Sequence, residues 1–357
     1  MSAKVFIFYS QKDKEFREVL EDRLIYLRNL KVVESWRDRQ IVGRKWDGDM
    51  YPLLDSADII LLLISPSFLS SDFCRSQDIE RAIARHEEGV AKVIPIMIYP
   101  IRNWSKTPFA ELEVLPKDGL PILDWPREEE AFLDIAVGIG ERVLELSKTS
   151  PEYEKTDLAI AMDGLASLYK KQGKHQESES LYLQAMEIFE NRGDRLKYAK
   201  TVTNLGSLYQ SIDYYFEAEP LYKEALTIRR EELGEKSLEY VESINNVAMI
   251  YYFQERYNKA EPLYQEALEL RKELLGEDSL DVAKTLNNLA AVYSSQKMYK
   301  DAEPLYKEAY KIMSKKLGEN HPKTITIRRN LDSHRNKSFW TVVKWYLVFQ
   351  TLYEIFV

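Results

Sequence analysis

Cysteine is almost absent from this sequence of 357 residues, and a single occurrence excludes any disulfide bond within the chain. Only four histidines are present, so the residues that most often hold zinc are scarce, and the sequence predicts no metal site. Basic residues number 50 against 58 acidic ones, and the net charge of −8 argues against coating nucleic acid as the main task. The 13 glycines and 13 prolines are too few for a disordered or fibrous chain.

The amino-terminal stretch, MSAKVFIFYS, lacks the features of a secretory signal peptide, because its apolar run is short and no cleavage-like end follows it. We therefore expect the protein in the cytoplasm. The length, taken as a prior, corresponds to roughly two or three domains.

The second half of the sequence repeats itself with a period of 40 to 42 residues. One landmark is a short apolar segment that ends in a tyrosine, at Tyr169, Tyr209, Tyr251 and Tyr293. A second landmark is an alanine that follows each tyrosine, at Ala185, Ala225, Ala267 and Ala309. Apolar residues at helical spacing predict two helices in each unit. Because one helix pair cannot bury its own apolar face, we expect the pairs to stack into a solenoid.

This pattern resembles the tetratricopeptide repeat (TPR), in the longer variant found in kinesin light chains. The resemblance spans residues 156–335 and includes four repeats and a fifth first helix around Asn330. An asparagine recurs on the first helix of four units, at Asn204, Asn246, Asn288 and Asn330. These amides either hydrogen-bond the backbone of a protein or peptide segment in the groove or bond one helix to the next within the stack.

Residues 1–148 have a different pattern, in which short apolar runs alternate with charged stretches of helical period. The runs are KVFIFYS at 4–10, ADIILLLIS at 57–65 and VIPIMIY at 93–99. They are rich in β-branched and aromatic residues and bounded by polar ones, as buried parallel strands are. The alternation predicts an α/β domain, in which ligands bind beyond the carboxyl ends of the strands.

Four blocks of this half stand in a characteristic order: FIFYS at 6–10, WRDRQIVGRKW at 36–46, SADIILLLIS at 56–65 and SDFC at 71–74. They resemble the Toll/interleukin-1 receptor (TIR) homology domain in its bacterial form, over residues 3–146. The resemblance implies a flavodoxin-like, doubly wound sheet of five parallel strands. It also implies that 36–46 is a mobile loop after the second strand, with Val42 where many relatives carry proline.

The resemblance implies one of two functions. Some TIR domains are scaffolds that associate with other TIR domains, and others cleave NAD⁺ into nicotinamide and linear or cyclised ADP-ribose. The enzymes rely on a glutamate on the helix after the third strand, where this chain has Asp78, one methylene shorter. Such a carboxylate would bind the nicotinamide ribose and stabilise an oxocarbenium-like centre. The alternative is an exposed acid in the first helical turn, favoured by the helix dipole.

Further candidates for the NAD⁺ cleft are Tyr9, Ser10, Asp38, Arg39, Gly43, Trp46 and Ser65. The three that stand at strand ends, Tyr9, Ser10 and Ser65, either contact the dinucleotide or cap turns. The charged pair Asp38 and Arg39 either binds the ligand or forms an ion pair within the loop. Trp46 either stacks on an aromatic ring of the ligand or anchors the loop. No cofactor is implied, since NAD⁺ is the substrate.

The last stretch, residues 338–357, is apolar and aromatic, and its length would allow a membrane span. Lys344, Gln350 and Glu354 within it would be costly in a bilayer. The alternatives are a helix that caps the solenoid, an interfacial membrane helix and a spanning anchor.

We therefore expect three parts: a TIR-like domain at 1–148, a TPR solenoid at 149–335 and a hydrophobic helix at 336–357. The combined hypothesis is a cytoplasmic signalling or defence effector. Residues 338–357 would contact a membrane if they form an interfacial helix or a spanning anchor. The effector cleaves NAD⁺ on self-association, while its repeats bind a partner protein. The alternative is an interaction scaffold without enzymatic activity.

Overall fold

The computed structural model describes residues 3–29, 33–41, 51–71, 76–149 and 155–335. It divides into two compact units, residues 1–194 and 195–357, and each is described here by itself. The first unit contains the strands β1 (Ala3–Ser10), β2 (Val33–Ile41), β3 (Ile59–Ile64) and β4 (Lys92–Met97). Its helices are α1 (Lys14–Asn29), α2 (Tyr51–Asp55), α3 (Pro66–Leu69), α4 (Gln77–Glu87), α5 (Glu128–Thr149), α6 (Lys155–Lys171) and α7 (His175–Asn191).

The strands form a parallel sheet in the order β2-β1-β3-β4, and the described residues contain four strands rather than the five expected. Beside β4, where a fifth strand would pair, a single parallel bridge joins Ile96 to Leu115. The backbone of Leu115 exchanges hydrogen bonds of 2.9 and 2.8 Å with Pro95 and Met97. The ladder ends there, because the next N–H that could continue it, that of Lys117, donates instead to the Asp134 carboxylate at 2.7 Å.

The expected loop at 36–46 is partly wrong, because β2 continues to Ile41. Its register with β1 runs without a shift from Lys4 and Ser35 to Ser10 and Ile41. Because β1 offers a hydrogen-bonding edge along its whole length, the chain stays extended through residues 36–41. The three strands expected at 4–10, 57–65 and 93–99 are confirmed as β1, β3 and β4, and the apolar side chains within these strands are almost completely buried.

Helix pairs follow the sheet domain. In the first unit α6 and α7 form one pair, and the second unit continues with α8 (Arg195–Ser211), α9 (Tyr215–Leu233), α10 (Leu238–Phe253), α11 (Tyr257–Leu275), α12 (Leu280–Ser295) and α13 (Tyr299–Leu317). A further helical stretch covers 322–335, which confirms the expected fifth first helix.

The turns within and after the helix pairs contain residues with positive φ. Between the two helices of each pair, one residue adopts a left-handed conformation, and these residues are Gly173, Asp213, Glu255 and Lys297, with φ between 59° and 77°. The second helix of three repeats ends at a glycine with positive φ, at Gly234, Gly276 and Gly318. Glycine suits this position because it has no Cβ to clash in the left-handed region.

Serine caps two of the helices that follow these glycines. The Ser237 Oγ accepts a hydrogen bond of 3.2 Å from the Tyr240 N–H, and the Ser279 Oγ accepts one of 3.1 Å from the Val282 N–H. Each cap satisfies one of the backbone donors that the first turn of a helix leaves open.

We predict that Ser279→Ala lowers the free energy of unfolding by about 1 kcal/mol, because it leaves one backbone donor of α12 without its cap. Ser279→Asp, which retains an acceptor, should keep most of the stability. Urea unfolding followed by far-UV circular dichroism measures the difference. Ser295→Ala makes the same change at an exposed position at the other end of this helix. Equal losses in the two alanine variants would contradict the capping role.

Candidate functional site

Three polar residues lie where the neighbouring strands β1 and β3 end. Ser10 ends β1, Asp13 follows it in a short 3₁₀ turn, and Ser65 follows β3. The Ser65 Oγ donates a hydrogen bond of 2.5 Å to the Asp13 carboxylate, and all three residues are buried. Parallel strands bring these positions together because their carboxyl ends share one edge of the sheet. Sequence reasoning did not select Asp13, although an acid three residues after a strand-ending serine is a visible signal.

The hydroxyl of Ser65 already makes two hydrogen bonds within the protein. It donates its only proton to Asp13 and accepts a hydrogen bond of 3.0 Å from the Phe68 N–H, which caps α3. The turn-capping interpretation of Ser65 is therefore confirmed. Toward a ligand this hydroxyl could only accept a hydrogen bond, as from a sugar hydroxyl.

Tyr9, the preceding residue of β1, is buried. Its ring lies 5.8 Å from the guanidinium carbon of Arg17 on α1, which is within cation–π range. The aromatic ring therefore packs between the sheet and the first helix.

Burial raises the pKa of the Asp13 carboxyl above its ordinary value of 3.8. The hydrogen bonds from the Ser65 side chain and the Ser10 backbone and the charge of Lys12 act in the opposite direction, but the effect of burial is larger. The folded protein therefore holds this proton more tightly than the unfolded chain does.

Asp78 lies in the first turn of α4 and is only 4% exposed, so the interpretation as an exposed first-turn acid is wrong. Glu80, two residues further on, is exposed to solvent. Ile79 and Ala82 of this helix are buried in the core and fix its rotation, and two arginines on it contact neighbouring elements. Arg81 forms a two-pronged ion pair with Asp55 of α2, and Arg85 donates to the carbonyl oxygen of Ala57 at 2.8 Å.

The remaining cleft candidates lie within β2 or outside the described residues. Asp38 and Arg39 lie within β2, where their Cα atoms pair with those of Ile7 and Phe8 of β1, so neither follows the end of the strand. The expectation that they belong to a loop is wrong, because pairing with β1 keeps this segment in the strand. Gly43 and Trp46 lie outside the described residues, as does the stretch 338–357.

The second unit contains a cavity of about 480 Å³ between α10, α11 and α12. Asn245, Asn246 and Asn288 line it, together with Arg271 and Lys284. The Oδ1 atom of Asn245 is buried and has no hydrogen-bond partner in the described part of the chain. A buried acceptor without a partner costs free energy, so a donor from a bound chain would stabilise it.

Arg271 adds a positive charge to this cavity, and the lining also contains the acidic residues Glu242 and Asp281. Its Nη1 atom donates to Thr285 Oγ1 at 2.5 Å and more weakly to the carbonyl oxygen of Asp281 at 3.3 Å. Among the described residues no carboxylate lies within ion-pairing distance of it. Burial lowers the pKa of the guanidinium, while the charges of Asp281 and Glu242 raise it by less.

The four repeated asparagines have different environments. Asn246 and Asn288 line the cavity, and Asn204 lies half-buried on α8. The Asn330 Nδ2 donates at 2.9 Å to the Oδ1 of Asn287, so helix-to-helix bonding is confirmed for this position. Sequence reasoning missed Asn245, although the doublets at 245–246 and 287–288 mark both positions.

Comparison with known protein families agrees with both halves of this architecture. The TIR domain family matches residues 5–132, and the tetratricopeptide repeat family matches residues 132–191, 197–273, 240–315 and 281–331. The chain belongs to the tetratricopeptide repeat family and carries a TIR domain.

Several individual proteins are similar to this TIR–TPR chain. The uncharacterized protein y4lF of Sinorhizobium fredii is 38% identical over 147 residues, which are 41% of this chain and 45% of that protein. The chain thus spans less than half the length of this relative. Among solved structures, BtubC (BKLC) from P. vanneervenii is 24% identical, with 55% of this chain and 78% of that one covered and a TM-score of 0.48.

Kinesin-light-chain TPR-like repeats from Podosopora anserina are 18% identical, with 52% and 89% covered and a TM-score of 0.47. These structural likenesses concern the fold alone. Within the described ranges, no helix has the length and hydropathy needed to cross a membrane, and no cluster of histidine, cysteine or acidic residues could hold a metal.

We predict that Asp13→Asn removes a pH-dependent loss of stability from the TIR domain. As pH rises above 3.8, the unfolded chain releases the proton of Asp13 before the folded protein does, so wild-type stability falls through the raised folded-state pKa. Urea unfolding between pH 4 and 7 measures this difference. Asp124→Asn, at an exposed position of the same domain, is the matched control. Parallel pH profiles for wild type and Asp13→Asn would contradict the prediction.

Proposed function

We propose that this protein is a signalling or defence effector whose TIR domain cleaves NAD⁺ when several copies associate, while the repeats bind a partner protein. The domain content is that of signalling and protein-interaction proteins. The observation that carries the enzymatic part is the burial of Asp78 at the position where the TIR enzymes use a glutamate.

The proposed reaction breaks the bond between the nicotinamide nitrogen and the ribose. The electron pair of that bond passes to the nitrogen, which neutralises the pyridinium, and the sugar carbon becomes an oxocarbenium-like centre. The Asp78 carboxylate would stabilise this positive charge, and water would then add to the sugar and release a proton. The products are nicotinamide and ADP-ribose.

The enzymatic proposal predicts a large loss of activity in Asp78→Asn, which keeps the shape of the side chain and removes its charge. Nicotinamide release from NAD⁺, measured with the purified chain at rising concentration and with a crowding agent, should fall on the order of 100-fold. Glu80→Gln removes an exposed carboxylate from the same helix and should leave the rate unchanged. Absence of nicotinamide release at every concentration, with wild type and Asp78→Asn alike, would contradict the enzymatic proposal.

A scaffold without enzymatic activity is the second candidate, and the aspartate itself favours it. Its carboxylate ends one methylene short of a glutamate, and a misplacement of about 1 Å can cost 100-fold in rate. Asp78→Glu distinguishes the two candidates. A higher rate in this variant would indicate that reach limits the native chain, whereas continued inactivity favours the scaffold.

The repeats would bind an extended protein segment in the cavity between α10, α11 and α12. The amides of Asn246 and Asn288 can hydrogen-bond a peptide backbone, and the unpartnered Oδ1 of Asn245 can accept one of its N–H groups. The guanidinium of Arg271 can bind a carboxylate of the segment, in competition with Glu242 and Asp281, which also line the cavity.

For this second site we predict that Asn246→Ala weakens the binding of fluorescently labelled acidic peptides about 5-fold or more, because one hydrogen bond to the peptide is lost. Fluorescence polarisation with the full chain measures the dissociation constant. Asn258→Ala, at an exposed position of α11 outside the cavity, is the matched control. Equal affinity for the two variants would contradict the proposed groove.

A further inference from the structure

Helix α5 packs tightly on two sides, and each tight contact depends on a glycine. A Cβ atom added to Gly138 would lie 2.5 Å from a methyl carbon of Leu115, beside β4. A Cβ atom added to Gly140 would lie 3.2 Å from Leu165 and 3.3 Å from Leu168, both on α6. Because two residues correspond to about 200° of helix rotation, these glycines face opposite sides. One side of α5 therefore packs on the sheet domain and the other on the first repeat.

The buried residues of α5 follow the pattern of the second helix of a repeat. In the repeats a buried tyrosine stands between two buried small residues, as in Ala218–Tyr222–Ala225, Ala260–Tyr264–Ala267 and Ala302–Tyr306–Ala309. At the same spacing α5 has Ala136, Gly140 and Val143, which are also buried. Glycine thus takes the place of the tyrosine, and α5 can approach α6 closely.

Polar contacts between a second helix and the first helix of the next repeat recur at equivalent positions. The Tyr169 hydroxyl donates to Glu141 Oε1 at 2.8 Å, across 28 residues of sequence. Over the same separation, Gln265 Nε2 donates to the Tyr293 hydroxyl at 2.9 Å. The family match to the tetratricopeptide repeat begins at residue 132, which lies inside α5. Helix α5 therefore contacts α6 as α11 contacts α12.

The same carboxylate oxygen also binds the sheet domain. Lys117, just beyond the bridge to β4, has its Nζ atom 3.2 Å from Glu141 Oε1, and its backbone N–H donates to Asp134 of α5 at 2.7 Å. A chain of contacts thus runs from Lys117 through Glu141 to Tyr169 of α6. Burial and the Glu141 carboxylate raise the pKa of the Tyr169 hydroxyl, which stays protonated as the donor.

We propose that α5 is the second helix of a repeat whose first helix is replaced by the TIR domain. The domain and the first repeat then form one cooperative unit. Residues 1–194 form one compact unit, which agrees with this proposal. A partner bound to the first repeat would thereby stabilise the sheet domain, since coupling through shared contacts is reciprocal.

Hydrogen exchange of the full chain, read by mass spectrometry, tests this proposal with Gly138→Ala. The substitution acts on the sheet side of α5, yet we expect amides of α6 to exchange at least 10-fold faster. Alanine has a higher helix propensity than glycine, so faster exchange in this variant cannot result from a loss of helix propensity. Faster exchange in the strands and α5 with no change in α6 would overturn the proposal.

Three further variants keep the test decisive. Gly140→Ala is the milder reciprocal change, and we expect it to speed exchange in β4 although it acts on the repeat side. If Gly138→Ala does not fold, adding Leu115→Ala makes room for the new methyl group and should restore slow exchange in α6. Gly206→Ala, whose Cβ would lie 3.1 Å from the Tyr222 ring, is the matched control and should leave exchange in the strands unchanged.

Discussion

The burial of helix α5 on two opposite sides is the packing constraint on which the first unit depends. A helix that covers only a sheet exposes its outer side, where many residue types are tolerated. In α5 both sides are packed, with Gly138 against Leu115 and Gly140 against α6. Close-packed interiors transmit such a restriction, since neither side can shift without disturbing the other. Here the same helix completes an α/β layer and supplies the apolar surface on which the first repeat packs.

Buried polar groups mark the positions where this protein deviates from an ordinary core. Asp13 and Ser65 satisfy each other at the end of the sheet, and Asp78 is buried where a solvent-exposed acid would be less costly. In the repeats, Arg271 and Asn245 leave a charge and an acceptor beside an open cavity. Of these residues, Asp78, Arg271 and Asn245 carry the functional proposals.

Much of the fold was predictable because local rules determine it. The period between Tyr209, Tyr251 and Tyr293 predicts the helix pairs, and Gly234 and Gly276 predict their ends, since only short-range sterics are involved. The site was less predictable. Whether Asp78 faces inward depends on the rotation of α4, which follows from the burial of Ile79 and Ala82 and from the contacts of Arg81 with α2 and of Arg85 with Ala57.

By itself, the sequence determined the two kinds of domain, the repeat register and the strands at 4–10, 57–65 and 93–99, because periodicity and turn chemistry act locally. The tertiary structure decided the extension of β2 to Ile41 and the end of the ladder at Leu115. It also decided the pairing of Asp13 with Ser65, 52 residues apart, and the double role of α5. These features depend on which segments distant in sequence become neighbours, and local sequence patterns do not predict such contacts.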